Sequence, residues 1–382
     1  MNSLMKKIHK IMYEQTDGSL LSLILFLISL LYGAAVRLRL FCYKIGLLKI
    51  RTLSCAVVSI GNLTAGGAGK TPMTIFLAGL VKEMGHKPAV LSRGYKGGAE
   101  KKGGVVSDGK TMLMSSENSG DEPFMMAHRL HGVPVMVGQD RFASGMAAMK
   151  KFGARLLVLD DGFQHIRLDR DINILLIDGR RFFGNRHLLP RGPLREPTSS
   201  VGRADAVVFT KTGAQKDTGV LRAALRLEHF PEVPVFACSH VPRIIRKGGG
   251  KRAGTTDFLN GKRVVAFSGI AVNDDFRQTL ISLGVQIEDF FGFDDHHDYT
   301  DRELSDLLAL AEEKKVDFIC ATEKDYARIA TRISWTHRLV PVGVDISFGD
   351  DAEKFARFIK TRLTIIDRRK SLNPKTIEFK TG

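Results

Sequence analysis

The stretch GNLTAGGAGKTP, residues 61–72, is rich in glycine and contains the triplet Gly-Lys-Thr. It follows an apolar, β-branched run, Cys55–Ile60, and precedes a segment with helical periodicity, Met73–Met84. A buried strand, a glycine-rich loop and a helix in this order form the setting of a phosphate-binding loop. The glycines let backbone N–H groups surround a phosphate, and the start of the helix adds a favourable dipole. This stretch therefore predicts a nucleotide-binding fold.

Individual residues of the loop have distinct expected roles. Lys70 can reach the β- and γ-phosphates of a nucleotide, and the Thr71 hydroxyl can bind Mg²⁺. Pro72 suits the first helical turn, where its missing N–H costs nothing. We expect the nucleotide to contact eight consecutive residues: Thr64, Ala65, Gly66, Gly67, Ala68, Gly69, Lys70 and Thr71. A strict motif has glycine where Thr64 stands, so a chance glycine-rich turn is the alternative.

A second acidic motif is expected on another strand, because the Mg²⁺ ion of a nucleotide is held partly by carboxylates or by their bound waters. The apolar run Arg155–Leu159 ends in Asp160 and Asp161. Asp-Asp-Gly is common in surface turns, so this motif is informative only together with the phosphate loop. The combination predicts that Asp160 and Asp161 contribute to a Mg²⁺ site with Thr71.

Strands and helices alternate around these motifs. Strand patterns cover Pro88–Ser92, Pro134–Val137, Ile172–Asp178 and Ala206–Thr210, and helical patterns cover residues 122–130 and 141–152. Such alternation predicts an α/β fold whose mostly parallel sheet is covered on both faces, as in P-loop NTPases. A second set of strands and helices begins near Arg263 and predicts a smaller α/β lobe.

We divide the chain into three parts on this basis. They are an N-terminal membrane anchor with its flank (1–48), a P-loop lobe (49–240) and a smaller α/β C-terminal lobe with a basic tail (241–382). The polar stretch 246–256 is expected to be an exposed loop between the lobes.

The composition is that of a globular protein with excess positive charge. Of 382 residues, 44% are hydrophobic and 26% are charged, which excludes a mainly disordered or polytopic membrane chain. Lys and Arg number 57 against 41 Asp and Glu, a formal net charge of +16. Nucleic acid, an anionic membrane and a phosphorylated substrate could each balance this charge. The four cysteines are far apart, which predicts neither a disulfide framework nor a zinc ribbon and favours a reducing cytosol.

The N-terminal segment is apolar between basic flanks. Residues 20–36 contain no charge, and residues 1–50 carry seven basic side chains against two acidic ones. This uncharged run is at the lower limit of a transmembrane helix, about 17–25 residues. Four small residues recur at roughly helical spacing: Ser19, Ser22, Ser29 and Gly33. The spacing predicts a helix with one face against protein and the other against lipid.

Three interpretations of this segment are open. A signal peptide fits the basic start and the small residues 33–35, but the phosphate loop that follows requires cytosolic nucleotide. A spanning helix should have its Lys and Arg on one side, whereas both flanks here are basic. We favour a monotopic anchor in the cytoplasmic leaflet, where both flanks meet anionic head groups. The basic end, residues 354–382, is either a solvated helix face with a tail or a second contact with membrane or substrate.

Phosphoryl transfer to a hydroxyl needs a group that accepts the hydroxyl proton. Asp121, in Gly120–Pro123, lies at a predicted helix start, where it is either this base or a helix cap. In the second lobe, the segment Asp294–Tyr299 holds two histidines among acids. It suggests a metal site, a proton relay or a solvated loop. A histidine that closes onto Asp121 from this lobe is consistent with the relay.

The basic loop Phe183–Pro197 is a further candidate. Arginine binds planar anions through paired hydrogen bonds, so Arg191 or Arg195 could hold a substrate phosphate or transition-state charge. Glu196 could bind Mg²⁺ or orient Arg195. Surface salt bridges are the alternative for this loop. Thr322–Asp325 weakly resembles the base-reading N/T-K-x-D sequence of GTPases, but it is shifted by one residue and lies in the wrong lobe.

Nearly the whole chain resembles the tetraacyldisaccharide 4′-kinase family of the lipid A pathway. The resemblance starts with the hydrophobic N-terminal segment and rests on ordered motifs: SIGNLTAGGAGKTP (59–72), SRGY (Ser92–Tyr95), GDEP (Gly120–Pro123), DDGFQH (Asp160–His165), LLPRGPLREP (Leu188–Pro197), DHH (Asp295–His297) and TEKD (Thr322–Asp325). The family tolerates a residue other than glycine at the position of Thr64.

The resemblance implies a monotopic kinase on the cytoplasmic face of the inner membrane of Gram-negative bacteria. Such an enzyme transfers the γ-phosphate of ATP, with Mg²⁺, to the 4′-hydroxyl of tetraacyldisaccharide 1-phosphate, and the product is of the lipid IVA type. The implied partners are the lipid A disaccharide precursor and an anionic membrane surface. No nucleic acid and no protein partner is expected.

The resemblance also implies residue roles. Asp121 matches the catalytic base, assisted by His296, and Lys70 matches the catalytic lysine of the phosphate loop. Four residues fall on expected metal positions: Thr71, Asp160, Asp161 and Glu196. Six fall on expected substrate positions: Arg93, Tyr95, Gln164, His165, Arg191 and Arg195. Arg191 departs from the family, which commonly has a small residue there, so its expected contact with a lipid phosphate is the least supported of the six.

A membrane-associated P-loop ATPase or GTPase of regulatory or positioning type is the alternative function. In such a protein Asp121 would position a water molecule instead of a substrate hydroxyl. The GDEP, LREP and DHH motifs have no evident purpose there. A nucleic-acid-binding protein would explain the net charge, but the basic residues concentrate at the two ends and lack interleaved aromatic residues.

Overall fold

A computed structural model describes residues 3–13, 19–213, 217–225, 230, 232–245, 256–329, 332, 339–372 and 379–380. Within these residues the chain forms two main β-sheets, each with helices on both faces, and a pair of N-terminal helices. A short pairing of β1 (Ile50–Arg51) with β15 (Phe379–Lys380) joins the segment after the N-terminal helices to residues near the C-terminus.

Eight strands form the larger sheet. Their bounds are β2 Ala56–Asn62, β3 Pro88–Ser92, β4 Gly104–Ser107, β5 Val135–Val137, β6 Leu156–Leu159, β7 Ile172–Asp178, β8 Ala206–Thr210 and β9 Val235–Ala237. The order across the sheet is β4-β5-β3-β6-β2-β7-β8-β9, and the pairs are parallel except for β4 with β5. Because β2 is central, the phosphate loop that follows it lies at the middle of the carboxyl edge of the sheet.

Helices cover both faces of this sheet. Five of them are α3 Lys70–Glu83, α4 Ser116–Ser119, α5 Asp121–Arg129, α6 Arg141–Phe152 and α7 Thr218–Ala224. Val58 of β2 packs in one core cluster with α3 and α5, whereas its neighbour Val57 packs on the opposite face with α6. Successive side chains of a strand point to opposite faces, so a strand covered on both sides is apolar throughout. The observed architecture confirms the predicted P-loop NTPase-like α/β fold.

The smaller sheet follows in the chain. Its strands are β10 Ser239–Ile244, β11 Arg263–Ser268, β12 Gln286–Gly292, β13 Phe318–Thr322 and β14 Leu339–Ser347, in the order β10-β14-β13-β11-β12. Only the edge strand β10 pairs antiparallel, with β14, among the described strands. Helices α8 Asn273–Ser282 and α9 Asp301–Glu313 cover its two faces. The short helix α10, Glu323–Ile329, faces the larger lobe.

The last helix, α11 (Ala352–Leu372), returns to the larger sheet. Its apolar stripe is buried in the same core cluster as Val58 and consists of Phe355, Ile359, Leu363 and Ile366. Basic residues of α11 pair with acids of the larger lobe: Arg362 with Asp205, and Arg369 and Lys370 with Asp171. The expected solvated basic face is present, since Lys354, Arg357, Lys360 and Arg368 are exposed. The opposite face of α11 covers the larger sheet, which its periodicity does not show.

We propose a division that differs from the expected one in its last part. Residues 239–347 contain the strands of the smaller sheet, and α11 belongs to the larger lobe, so the segment 241–382 combines pieces of both. The loop expected at 246–256 falls, apart from residue 256, outside the described residues. The six strands predicted for the larger sheet lie within two residues of their expected bounds, whereas β1, β4, β9, β10 and β15 carry too short an apolar pattern to be predicted.

Two helices precede the larger sheet, α1 Ser3–Tyr13 and α2 Leu20–Lys44. The small residues Ser22, Ser29 and Gly33 are buried, as their spacing predicted, and a Cβ added to Gly33 would come within 2.8 Å of the Leu188 side chain. Large apolar side chains on the rest of α2 are exposed: Leu20, Leu23, Ile24, Leu27, Ile28, Leu30, Leu31, Leu38 and Phe41. By length and composition α2 is the one helix among the described residues that could cross a membrane.

Candidate active site

The phosphate loop connects β2 to α3 through glycines in the left-handed region. The φ angle is +111° at Gly66 and +79° at Gly69, the residue that precedes α3. A Cβ added to Gly67 would meet nothing within 4 Å, so the loop is open there. The first N–H groups of α3 have no partner within the helix and, with the helix dipole, favour an anion. The loop geometry therefore fits the phosphates of a nucleotide.

A second segment supports the phosphate loop from behind. The Ala65 N–H donates to the Pro193 carbonyl at 2.6 Å, and the Arg195 N–H donates to the Leu63 carbonyl at 2.7 Å. Between them, Thr64 forms an antiparallel bridge with Leu194. An extended, paired residue has no need of glycine, which explains why this loop departs from the strict motif at Thr64.

Lys70 is held at the point where β2 meets α3. Its Nζ lies 3.2 Å from Asn62 Oδ1 and 3.7 Å from Asp161 Oδ1. Asn62 is fixed in turn by Gln164, whose Nε2 donates to the Asn62 carbonyl at 2.9 Å. These contacts orient the ammonium group at the mouth of the loop.

Asp160 ends the strand next to β2 and is buried. It accepts hydrogen bonds from Thr74 Oγ1 at 3.1 Å and from Ser92 Oγ at 3.2 Å. Burial, with the negative charges of Glu122 and Asp161 nearby, raises the pKa of Asp160 above its usual range. The charge of a divalent cation would reverse this effect. A buried carboxylate in this environment fits a ligand of Mg²⁺.

Asp161 links the phosphate loop to the basic loop. Arg195 Nη1 donates to both oxygens of Asp161, at 3.1 and 3.0 Å. Burial alone would raise the pKa of Asp161, but Lys70 and Arg195 hold it below its usual value. The three side chains thus form a chain of alternating charge along the mouth of the loop.

The residues expected to bind Mg²⁺ are consistent with a coordination shell that the nucleotide completes. Thr71 is the second residue of α3 and lies at the same edge of the sheet as Asp160 and Asp161. Nowhere in the described part of the chain do three His, Cys, Asp or Glu side chains converge. Phosphate oxygens and water would therefore supply the other ligands of Mg²⁺, which usually keeps several waters. The same finding leaves the segment Asp294–Tyr299 without a metal cluster.

Glu196 is buried beside Arg203. One oxygen of Glu196 accepts from Arg203, whose guanidinium also lies over the Phe163 ring at 4.8 Å. The other oxygen, Oε1, has no hydrogen-bond partner among the described residues. The carboxylate is therefore oriented by Arg203 and presents one oxygen to a cation or a water molecule.

Asp121 meets side chains of the smaller lobe. Its Oδ2 lies 2.8 Å from His296 Nδ1, and Arg328 donates to both carboxylate oxygens, with 2.7 Å between Arg328 Nε and Oδ1. Burial would raise the pKa of Asp121, but these hydrogen bonds and the Arg328 charge lower it to about 2. Gly120 occupies the cap position of α5 and Asp121 begins the helix. The carboxylate is thus turned to the other lobe and is not a helix cap.

His296 is fixed on both sides of its ring. Besides the contact with Asp121, its Nε2 lies 3.2 Å from Lys324 Nζ, and Lys324 in turn binds Asp295 at 2.6 Å. Tyr95 approaches edge-on, with the two ring centroids 6.0 Å apart. The DHH, TEKD and SRGY motifs, distant in sequence, therefore meet at one place.

The other residues expected to contact substrate differ in exposure and in their partners. Tyr95 is 56% exposed, whereas Arg93 is paired with Glu100 at 2.6 Å. Burial, with nearby arginines, lowers the pKa of His165 to about 4, so this histidine is neutral at physiological pH. The guanidinium of Arg191 lies over the ring of Phe26 on α2, 5.2 Å from its centroid.

Arg328 is a candidate residue that the sequence analysis missed. It lies on α10, three residues beyond the TEKD motif, and its Nη1 also donates to the His297 carbonyl at 2.5 Å. The only signal in the sequence was the proximity to that motif. Its partner Asp121 is 207 positions earlier in the chain, so no local pattern connects them.

Comparison with known proteins finds matches in both sequence and structure. Residues 21–364 match the family model described as tetraacyldisaccharide-1-P 4′-kinase. A tetraacyldisaccharide 4′-kinase of Desulfatibacillum aliphaticivorans is 42% identical over 376 residues, which cover 96% of this chain and 100% of that protein. The corresponding protein of Syntrophus aciditrophicus is 44% identical over 325 residues, covering 82% and 86% of the two chains.

A solved structure has the same architecture. It is a crystal structure of "apo" form LpxK from Aquifex aeolicus in complex with ATP, with a TM-score of 0.70 and 31% identity. The match covers 90% of this chain and 100% of that chain. The fold, the motifs and both kinds of comparison agree, and the chain belongs to the tetraacyldisaccharide-1-P 4′-kinase family.

Proposed function

We propose that this chain transfers the γ-phosphate of ATP to the 4′-hydroxyl of tetraacyldisaccharide 1-phosphate, a step of lipid A biosynthesis. Its family is one of ATP-dependent kinases, and the chain spans nearly the full length of its relatives. The observation that carries the proposal is the contact of Asp121 with His296 and Arg328 at the edge of the sheet that holds the phosphate loop.

Asp121 lies at the edge of the sheet where we propose that the nucleotide binds. A Cβ added to Gly120 would lie 3.0 Å from the Tyr95 carbonyl, so the start of α5 packs against the loop that follows β3. The last residue of β3, Ser92, binds Asp160 at the neighbouring strand end. Asp121 and the acidic motif therefore share the carboxyl edge of the sheet, where parallel α/β proteins bind ligands.

In the proposed reaction the oxygen of the 4′-hydroxyl attacks the γ-phosphorus and its proton passes to Asp121. The bond between the γ-phosphorus and the oxygen that bridges it to the β-phosphate breaks, and ADP leaves. His296 orients the carboxylate and gives the proton a second site. Lys70 and Arg195 balance the charge that spreads over the phosphoryl oxygens. Mg²⁺, held by Thr71 and the acidic motif, would neutralise charge on the β- and γ-phosphates. Water is a competing acceptor, and closure of the two lobes over the site would exclude it.

We propose that the remaining motif residues bind the lipid acceptor. Tyr95, exposed beside His296, is placed to contact the sugar that bears the 4′-hydroxyl. Gln164 and His165 belong to the turn that supports Lys70, and Arg93 lies at the end of β3. Arg191 packs against Phe26 of α2, the proposed membrane helix, and is suited to a phosphate of the acceptor.

We also propose that α2 holds the enzyme on the membrane as a monotopic anchor at the cytoplasmic face. The acceptor carries acyl chains that leave a bilayer only at about 0.8 kcal/mol per CH₂, so the enzyme must reach the membrane surface. One face of α2 packs on the basic loop, where Tyr32 donates to the Arg195 carbonyl at 2.9 Å. The other face exposes its leucines. Lys and Arg at both ends of the helix would meet anionic head groups.

Replacing Leu23, Leu27 and Leu31 together with serine is expected to release the protein from vesicles. Each exposed leucine that enters the bilayer contributes about 1.5–3 kcal/mol to binding. The buried face of α2 and its contact with Arg195 stay intact, so activity on a short-chain, water-soluble acceptor should be retained. Co-sedimentation with anionic vesicles and rates on both acceptors are the measurements.

The matched control exchanges Leu113 and Leu372, two exposed leucines outside α2, for serine. This variant should bind vesicles as the wild type does. Equal loss of activity on the membrane-bound and soluble acceptors in the α2 variant would argue against the anchor role. Deleting residues 1–36 is a poorer test, because it also removes the support of the basic loop.

Replacing Arg328 with methionine is expected to move the acid limb of the pH profile. In the wild type Asp121 stays ionised to about pH 2, because Arg328 and His296 favour its charged form. Without the guanidinium the burial of Asp121 dominates, and its pKa should rise by about 1–3 units. The carboxylate is then protonated at a higher pH, so kcat/KM should fall at mildly acidic pH, where the wild type still works. Initial rates from pH 4.5 to 8 measure this.

The control for that experiment is Arg332→Met. Arg332 is another arginine of the same lobe and follows α10. It pairs with Asp298 and Asp301 and does not bind Asp121. Its removal changes the net charge equally and should leave the acid limb in place. An Arg328→Met profile parallel to the wild type would show that Arg328 does not act through Asp121.

The proposed function is tested by incubating purified protein with γ-labelled ATP, Mg²⁺ and tetraacyldisaccharide 1-phosphate. We expect the label on the lipid, and fragmentation of the product should place the new phosphate at the 4′ position. Hydrolysis of ATP without labelled lipid would favour the ATPase alternative over a kinase.

A further inference from the structure

The TEKD motif, Thr322–Asp325, contains three side chains that the proposed reaction does not use. The motif ends β13 and begins α10, the short helix that faces the larger lobe. Its lysine reaches His296, whereas its other three side chains are buried. Buried polar groups require partners, so the partners of these three show what the motif holds in place.

Thr322 and Asp325 fix the start of α10 inside the smaller lobe. Asp325 Oδ2 accepts hydrogen bonds from Thr322 Oγ1 at 2.5 Å and from the Gly269 N–H at 3.0 Å. The Gly269 carbonyl accepts in turn from the His296 N–H at 3.3 Å. The backbone of His296, whose φ is +64°, therefore belongs to the same network as α10. Because these parts form one unit, the seating of α5 on α10 decides where Asp121 meets His296.

Glu323 faces the larger lobe. Its Oε2 lies 3.5 Å from Nη1 of Arg129, the last residue of α5. The same arginine nitrogen donates to the Val344 carbonyl at 3.0 Å, and Nη2 donates to Asp345 of β14. The Arg129 side chain is 7% exposed and that of Glu323 is 11% exposed. Arg129 thus crosses from the larger lobe into a buried position on the smaller one.

The surroundings of Glu323 fit its carboxylate closely. A Cβ added to Gly343 of β14 would collide with this carboxylate, so glycine leaves the space that Glu323 fills. Burial raises the pKa of Glu323, and the charges of Arg129 and Arg243 oppose this effect. Separating a buried pair would leave each charge without a partner in a poorly hydrated site. The pair therefore suits a contact that specifies a position more than one that adds stability.

Two ion pairs join α5 and α10 at opposite ends. Asp121, the first residue of α5, binds Arg328 near the end of α10. Arg129, the last residue of α5, binds Glu323 at the start of α10. The order of the contacts is reversed, so the two helices pass each other in opposite directions. At 1.5 Å per residue the two ends of α5 are about 12 Å apart, so Arg129 acts on Asp121 through the position of the helix.

We propose that Arg129 and Glu323 are positioning residues of the phosphoryl transfer. Their ion pair sets the register of α5 on α10 and thereby places Asp121 against His296 and Arg328. The inference rests on the proposed function, because it assigns a role in that reaction to a contact between the lobes. It also gives the TEKD motif one purpose: its threonine, lysine and aspartate hold the histidine, and its glutamate seats the helix that carries the base.

Arg129→Met tests the inference by a split between kcat and KM. Displacing a reacting group by 1 Å costs about 10²-fold, so kcat should fall about 10–100-fold. The contacts of Arg129 lie in α10 and β14, so the KM for ATP and the calorimetric affinity for ADP should stay within about twofold of the wild type. The acid limb of the pH profile should move to higher pH, because Asp121 loses part of the stabilisation that His296 and Arg328 give its charged form.

Arg243→Met is the matched control. Arg243 also pairs with Asp345, at 3.7 Å, but it lies on β10 and belongs to the smaller lobe itself. This variant should keep the kcat and the acid limb of the wild type. A second variant, Arg129→Met/Glu323→Leu, leaves neither member of the pair charged and alone, so its unfolding midpoint should stay near that of the wild type. Its kcat should remain low, because an apolar contact does not fix a register.

Combining Arg129→Met with Arg328→Met identifies the route of the effect. If Arg129 acts by seating Asp121 against Arg328, the acid limb of the combined variant should lie close to that of Arg328→Met alone. Additive shifts would overturn the positioning role. Wild-type kcat in Arg129→Met or in Arg129→Met/Glu323→Leu, or a fall in ADP affinity as large as that in kcat, would also overturn it.

The inference and the proposed function fail separately. Absence of phosphate transfer to the lipid by the wild type would overturn the proposed function. Titration of the Asp121 carboxyl carbon by NMR, in the wild type and in Arg129→Met, would then still show whether Arg129 places Asp121 against its partners. If transfer occurs and the pKa of Asp121 is the same in both proteins, only the inference fails.

Discussion

Replacing Asp121 with asparagine is expected to lower kcat by about 10²–10⁴-fold, the contribution of a positioned general base. Asparagine keeps the size of the side chain and can still meet Arg328, but it has no basic oxygen for the hydroxyl proton. The phosphate loop is untouched, so the affinity for ATP should stay near that of the wild type. Single-turnover transfer of labelled phosphate and calorimetric titration with ADP measure the two quantities.

The matched control is Asp298→Asn in the loop of the smaller lobe. The Asp298 side chain is 100% exposed and pairs with Arg332 at 3.4 Å, so the same chemical change there should have almost no effect. A loss in kcat confined to Asp121→Asn supports the base. Nearly full activity of Asp121→Asn would remove this residue from the chemistry. Adding His296→Gln to Asp121→Asn should cost little more, because residues that act as a unit are not additive.

Replacing Lys70 with methionine is expected to reduce kcat/KM for ATP by about 10²–10³-fold, similar to the loss of one donor to a developing oxyanion. Methionine keeps the unbranched stem but removes the charge that faces the β- and γ-phosphates. It also leaves Asp161 with Arg195 as its remaining strong partner, which disturbs the chain of charges at the mouth of the loop. Rates at varied ATP and Mg²⁺ concentrations measure both effects.

Lys82→Met is the control for this substitution, because Lys82 lies on the same helix, α3, at its other end. Lys82 donates to the His131 carbonyl and is distant from the phosphate loop in sequence and along the helix. We expect kinetic constants close to the wild type. A comparable loss in both variants would mean that the effect comes from a change in α3 and not from the phosphate contact.

The phosphate loop could be predicted residue by residue because its chemistry is local. A strand, a run of glycines and the start of a helix are adjacent in the chain, and each requires particular residues for steric reasons. The same holds for Asp160 and Asp161, which follow an apolar strand, and for the face of α2 that consists of small residues. The sequence did not show why threonine can replace glycine at position 64, because the bridge of Thr64 with Leu194 depends on a segment 130 positions away.

Partners from distant segments could not be predicted in this way. Arg328 binds Asp121 across 207 positions, and Lys211 reaches the phosphate loop across 144 positions. Neither residue carries a local pattern that names its partner.

The domain boundary shows the same distinction on a larger scale. The apolar stripe of α11 is readable from its spacing of three and four residues. Two sheets were available for it to cover, and the chain leading into α11 comes from the smaller one. Its burial against Val58 was decided by packing between lobes, together with the ion pairs to Asp171 and Asp205.

The sequence by itself determined most strands of the larger sheet, the phosphate loop, the acidic motif and the apolar N-terminal helix, because backbone sterics and side-chain periodicity act over a few residues. The tertiary structure alone decided that Arg328 and His296 hold Asp121, that α11 belongs to the larger lobe, and that Arg129 pairs with Glu323. These contacts depend on how two lobes pack, and packing is settled by the whole buried surface, in which no short segment specifies its own neighbour.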